Sequence, residues 1–189
     1  CSAVRDHLST DWVLLADRKW PGTRSANIDL VVVGPGGVFV IDAKRWTEPV
    51  IADGRLHHGS MDRSEEVDKV CAQADAIAAE LTAIGLSPNQ VHPAIVLAGH
   101  DLQPTRLGEA YVLGEHNLAP YWAAHGPRLS AHDVQLIVDA LAEIAPPMNV
   151  ERPPAVTRAV PASPREIDSA LLTVDDVIDS SRRVAEAGS

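Results

Sequence analysis

Aromatic residues are scarce in this sequence: one Phe, two Tyr and four Trp among 189 residues. A core with so few rings must be assembled mainly from Val, Leu, Ile and Ala. Cysteine is nearly absent. Cys1 and Cys71 are too few and too far apart for a disulfide framework or a zinc-ligand pattern. Cys71 falls on an apolar helical face and reads as a small core residue. No apolar run approaches about twenty residues, so no membrane-spanning helix is expected. Positive charge is also in short supply, with 16 Lys and Arg against 26 Asp and Glu, a formal net charge of -10. Such a balance speaks against broad, charge-driven binding of nucleic acid. The exception is local: Arg18, Lys19, Arg24, Lys44 and Arg45 flank one short segment. The chain begins at Cys1 rather than Met, which reads as a fragment, and a reduced cytoplasmic compartment is expected.

What is present is a composition suited to a globule, 46% hydrophobic and 22% charged. Trp12 to Ala16 suits a strand. Ile28 to Val33 and Val38 to Ala43 are β-branched runs joined by Gly34-Pro35-Gly36-Gly37, a tight turn. Residues 50–52 and 55–57 flank Asp53-Gly54, a short-hairpin signal. Val67, Val70, Cys71, Ala74, Ile77, Ala78, Leu81 and Ile84 then recur at helical spacing, and Gly85 ends the helix. Ala94 to Ala98 and Tyr111 to Leu113 read as strands. Ser130 caps a helix whose apolar face is Val134, Ile137, Val138, Leu141 and Ile144, stopped by Pro146-Pro147. These elements imply an α/β fold, a mixed sheet with helices on both faces. The domain is expected over 1–147. A proline-rich linker follows over 148–164. Beyond it, 165–189 reads as a helical extension starting near Thr173, leading to a further domain.

The turn sets a register. With Pro35-Gly36 at its centre, Val33 faces Val38, Val31 faces Val40, and Asp29 faces Asp42. Alternation then puts Asp29, Val31, Val33, Val38, Val40, Asp42 and Lys44 on one face, and Ile28, Leu30, Val32, Phe39, Ile41 and Ala43 on the other. Both faces are apolar in the middle, so the hairpin is expected to be buried on both sides. Two facing carboxylates about 5 Å apart repel each other unless a cation lies between them. Hard oxygen ligands suit Mg²⁺ or Mn²⁺. A lysine beside such a pair completes the equipment for phosphodiester hydrolysis. The bland alternative is a solvated strand end, because Asp-x-Lys alone is common. The histidines show no zinc-like spacing and are expected in ordinary surface and loop roles.

The block Asn27 to Pro35 and Gly37 to Trp46 resembles the nuclease-related domain (NERD) family of the PD-(D/E)XK, restriction-endonuclease-like superfamily. The likeness extends over roughly 10–147 through Asp53-Gly54-Arg55-Leu56, the helix holding Gln73, the His92 to Leu97 strand and Leu129-Ser130. It implies a restriction-endonuclease-like αβββαβ core with its first helix truncated, and Mg²⁺-dependent (or Mn²⁺-dependent) cleavage of DNA. It further implies metal ligation by Asp29, Asp42 and the Ala43 carbonyl, a catalytic Lys44, and a supporting Gln73. For Gln73 the alternative is a solvated helix flank. Arg45 and Trp46, with Lys44, are expected to touch nucleic acid, although Trp46 equally suits a cap on the core. Members often carry His where Leu30 stands; position 30 points away from the carboxylates, so this reads as a packing change. The family's upstream helix with an acidic ligand would precede Cys1. An attached helicase domain is the implied partner. A non-catalytic module binding DNA or protein, and an RNA-cleaving enzyme, stand as alternatives.

Overall fold

The computed structural model describes residues 12–148. The 165–189 helix and most of the linker lie outside them. Chain order is β1 (Val13–Lys19), β2 (Asn27–Gly34), β3 (Gly37–Lys44), β4 (Pro49–Ala52), β5 (Arg55–His58), β6 (Met61–Asp62), α1 (Ser64–Thr82), β7 (Val91–Leu97), β8 (Thr105–Leu107), β9 (Ala110–Gly114), α2 (Leu118–Ala124) and α3 (Ala131–Ile144). Six strands form one mixed sheet in the order β1-β2-β3-β7-β9-β8, and β4-β5-β6 form a small separate sheet. The β1-β2-β3 meander is antiparallel, and α1 carries the chain across to β7, parallel to β3. This is a mixed α/β architecture consistent with a restriction-endonuclease-like fold.

The expected hairpin register holds. Val33 pairs with Val38, Val31 with Val40 and Leu30 with Ile41. Both faces are buried, as the double apolar alternation requires. On one face Val31, Val33, Val38 and Val40 pack under Val70, Ile77 and Leu81 of α1 and Ile137 and Leu141 of α3. On the other, Leu30, Val32, Phe39 and Ile41 meet Leu118, Tyr121 and Trp122 of α2. The expectation of an aliphatic core holds for the first layer alone. Four of the seven aromatics, Trp12, Phe39, Tyr121 and Trp122, gather in the second. Close packing there leaves no room at Gly34, where a Cβ would overlap the Trp12 indole.

The ends of the elements follow local chemistry. Ser130 Oγ accepts the Asp133 N–H while Asp133 Oδ2 accepts the Ser130 N–H, a reciprocal capping box. Gly85, at φ +90°, closes α1, with the Leu86 N–H donating to the Leu81 carbonyl. Asp53 and Gly54 both take positive φ, as a two-residue hairpin turn demands. Cys71 is half-buried, at the margin of the aliphatic layer.

Several expectations need correction. Ile28 joins the α1 and α3 layer rather than the Leu30 face. The β1-β2 ladder skips Asp17 opposite Asp29, and Asp17 adopts φ +48°, so the strand pair twists locally and the alternation breaks there. Arg18, one of the cations flanking the hairpin, is not available at the surface: it is 3% exposed, and its Nε donates to the Ala145 carbonyl at 2.7 Å, at the end of α3. Pro146 and Met148 continue past that helix along β1, bonding Lys19 and Asp17. Two histidines expected at the surface line the aromatic layer, His92 lying 5.0 Å from Phe39 and 4.4 Å from His125 between ring centres. Burial first, then His125 and Arg128, push His92 down to about 4.

Candidate active site

The site lies where β2 and β3 part. Their ladder ends at Leu30 and Ile41, so the Asp29 and Asp42 backbones are not paired. Instead the Asp29 carboxylate reaches across, and its Oδ2 accepts the Ala43 N–H at 3.0 Å. The Lys44 carbonyl accepts from Ala98 on the far side, so strand alternation turns the Ala43 backbone toward Asp29. The two carboxyl groups lie close enough for Asp42 to raise the Asp29 carboxyl. Thus the facing pair expected from the sequence is present through its side chains rather than through the ladder.

Electrostatics at this pair are unfavourable. Burial first, and then the neighbouring Asp42, push the Asp29 carboxyl up to about 6; the Ala43 N–H and Lys44 only partly oppose this. Asp42 is 1% exposed. Its buried Oδ2 lies 2.8 Å from Lys44 Nζ without the alignment of a hydrogen bond. Burial alone would lower the Lys44 ammonium, but Asp42 and Glu66 outweigh it and hold the group above its ordinary value.

Helix α1 forms the wall of the site, and it contributes two residues the sequence reading missed. Glu66 Oε2 lies 3.0 Å from Lys44 Nζ, a second acid on that ammonium besides Asp42. Lys69 Nζ lies 3.4 Å from Asp42 Oδ1. With Gln73 they occupy positions three and four residues apart, one stripe of the helix. That spacing was the available signal: once Gln73 is placed at the stripe's edge, Lys69 and Glu66 follow. Gln73 itself is buried, not a solvated flank, and its Nε2 donates to the Asn27 carbonyl at 2.9 Å. Through that bond it braces the start of β2, two residues before Asp29. Beyond β3, Arg45 is exposed, while Trp46 is half-buried with its ring stacked on His58 at 5.3 Å. One face of that indole is therefore already covered. Leu30 points into the α2 layer, away from the carboxylates.

The nuclease-related domain model matches residues 1–98. The chain belongs to the NERD family. The matched stretch contains Asp29, Asp42, Lys44, Glu66, Lys69 and Gln73; β8, β9, α2 and α3 lie beyond it. Comparison with curated proteins and with solved structures gives no match. Among the described residues, no helix of this NERD chain is long and apolar enough to cross a membrane, and no group of three or more His, Cys, Asp or Glu is placed to hold a metal ion.

The donor set nevertheless fits a hard divalent cation. A half-buried and a buried carboxylate that repel each other, the latter with an oxygen lacking a well-aligned donor, gain most from a charge placed between them. The repulsion predicts a measurable stability effect. Asp29 is raised in the folded state, so that state holds its proton more tightly than the unfolded chain between the ordinary carboxylate value and about 6. Stability from this group is therefore lost as pH rises through about 6, by linkage. Without divalent cations, Asp29→Asn should be more stable than wild type at pH 7.5, by about 1–3 kcal/mol. The advantage should shrink steeply by pH 4.5. Urea unfolding at the two pH values checks this, and an equal difference at both would refute it. His92 acts with the opposite sign in both proteins, losing stability as pH falls from its ordinary range toward about 4, and cancels in the comparison.

Proposed function

We propose that this NERD domain is a Mg²⁺-dependent nuclease (Mn²⁺ substituting) that hydrolyses DNA phosphodiester bonds, as part of a larger, helicase-linked, cytoplasmic DNA-processing protein. The observation that carries the reading is Lys44 Nζ, held 2.8 Å from Asp42 Oδ2 beside the Asp29 carboxylate on Ala43 N–H. Asp29, Asp42 and the Ala43 carbonyl are the groups that would hold the metal. Bound there, it would polarise a phosphoryl oxygen and acidify a water molecule.

The chain's own residues have separable tasks. Lys44 places a positive charge at the strand end, where it can hold the attacking water and offset charge developing on the phosphate. Glu66 keeps that ammonium from swinging into solvent. Gln73 fixes the backbone from which Asp29 projects. Arg45 and the uncovered face of Trp46 are the proposed contacts to the nucleic acid backbone and bases.

A second reading, a nuclease fold that binds DNA or a partner without cutting, is favoured by the net charge of -10 and by the lack of a third metal-competent acid among the described residues. One experiment separates the readings. Supercoiled plasmid and single-stranded RNA are incubated with the chain in Mg²⁺, Mn²⁺ or chelator. We expect nicking of DNA that needs the metal and falls about 100-fold or more in Lys44→Ala. Binding without cleavage supports the second reading. Preferential loss of RNA reassigns the substrate, and metal-dependent cleavage that survives Lys44→Ala removes that residue from the mechanism.

A further inference from the structure

The two lysines at Asp42 are held very differently. Lys44 is only 18% exposed and is held by two acids, Asp42 at 2.8 Å and Glu66 at 3.0 Å. Lys69 is 40% exposed and meets Asp42 Oδ1 alone, at 3.4 Å. A long, half-exposed, singly anchored ion pair is weak and easily exchanged. Asp42 therefore has one ammonium that is built into the site and one that is merely resting on it. The oxygen under Lys69 belongs to a carboxylate that a divalent cation would claim. When it does, charge repulsion and the loss of its acceptor both drive Lys69 away, whereas Glu66 retains Lys44. The Lys69 side chain rises from the first half of α1, on the stripe facing the site. Released there, its ammonium borders the place where a phosphodiester would meet the metal.

We propose that Lys69 is a substrate-contacting residue of this site: in the metal-free protein its ammonium stands in for the cation at Asp42, and on metal binding it is handed over to a backbone phosphate oxygen of the nucleic acid. This rests on the metal-dependent reading above and adds to it a residue and an order of events.

The test uses the full 189-residue chain, in wild-type, Lys69→Met and Lys69→Arg forms. Mn²⁺ alone is titrated calorimetrically. Lys69→Met should bind it about threefold to tenfold more tightly, because a competing cation is gone, and Lys69→Arg should stay close to wild type. A fluorescent DNA duplex is then titrated with and without Ca²⁺, used as a non-cleaving cation. Lys69→Met should weaken DNA binding only when the cation is present. Unchanged or weaker Mn²⁺ binding in Lys69→Met overturns the stand-in role, and an equal loss of DNA affinity with and without Ca²⁺ overturns the hand-over. Absence of Mn²⁺ binding in wild type overturns the metal reading itself, an outcome distinct from either.

Discussion

Asp42→Asn is expected to reduce metal-dependent DNA cleavage by about 10³-fold or more, the cost of losing several kcal/mol of metal-borne stabilisation. Asp42 is the hub of the site. It is 1% exposed, and its two oxygens face Lys44 at 2.8 Å and Lys69 at 3.4 Å. An asparagine keeps the shape but leaves two ammoniums around a neutral amide. It also removes the like charge that raises Asp29, so the folded protein should not be weakened at neutral pH through that carboxylate. Asp42→Asn also leaves the Lys44 ammonium with Glu66 as its remaining acid, which weakens folding, so chemistry and folding are measured separately. Single-turnover nicking with Mg²⁺ or Mn²⁺ measures the first, and urea unfolding checks the second. Cleavage within tenfold of wild type by a folded Asp42→Asn protein would mean that the reaction occurs elsewhere.

Arg18→Met is expected to cost about 2–4 kcal/mol of folding stability. Arg18 is buried, and among the described residues no carboxylate hydrogen-bonds its guanidinium. Its Nε and Nη2 donate to the Ala145 and Leu141 carbonyls at 2.7 and 3.5 Å. These acceptors end α3, where the helix dipole is negative and a cation is favoured. Burial lowers the guanidinium's pKa, with Asp17 opposing, yet arginine stays charged at any working pH. Methionine preserves much of the apolar stem but supplies no donor, so the Ala145 carbonyl loses the Arg18 Nε donor while the Leu141 carbonyl keeps only the Ala145 N–H. The midpoint of urea unfolding should fall, with little change in DNA affinity. A large loss of DNA affinity with unchanged stability would instead refute this structural role and leave Arg18 as one of the local cations flanking the hairpin.

The correct and incorrect expectations divide along one line. The β2-β3 register, the Asp53-Gly54 turn, the stop at Gly85 and the Ser130 capping box were all legible, because each is written within a few neighbouring residues. Strands β6 and β8 were missed; at two and three residues they carry no period of their own. Helix α2 was missed too. It has seven residues with Pro120 in its first turn, too short for a helical pattern to show. The burial of Arg18 could not be read locally, since its acceptors lie more than a hundred residues away.

The candidate site shows the same division. Sequence alone determined which carboxylates face one another, since turn chemistry and strand alternation set that register. It also supplied Lys44 on the same face and the reason a cation is wanted there. Tertiary structure decided that the ladder stops at Leu30 and Ile41, freeing Asp29 to bind the Ala43 N–H. It also decided that Glu66 and Lys69 belong to the site. Their positions follow from the rotation of α1, and that rotation is set by burying Val70, Ile77 and Leu81 against the sheet. A helix's own period says which residues share a stripe; only packing against another element says what that stripe faces.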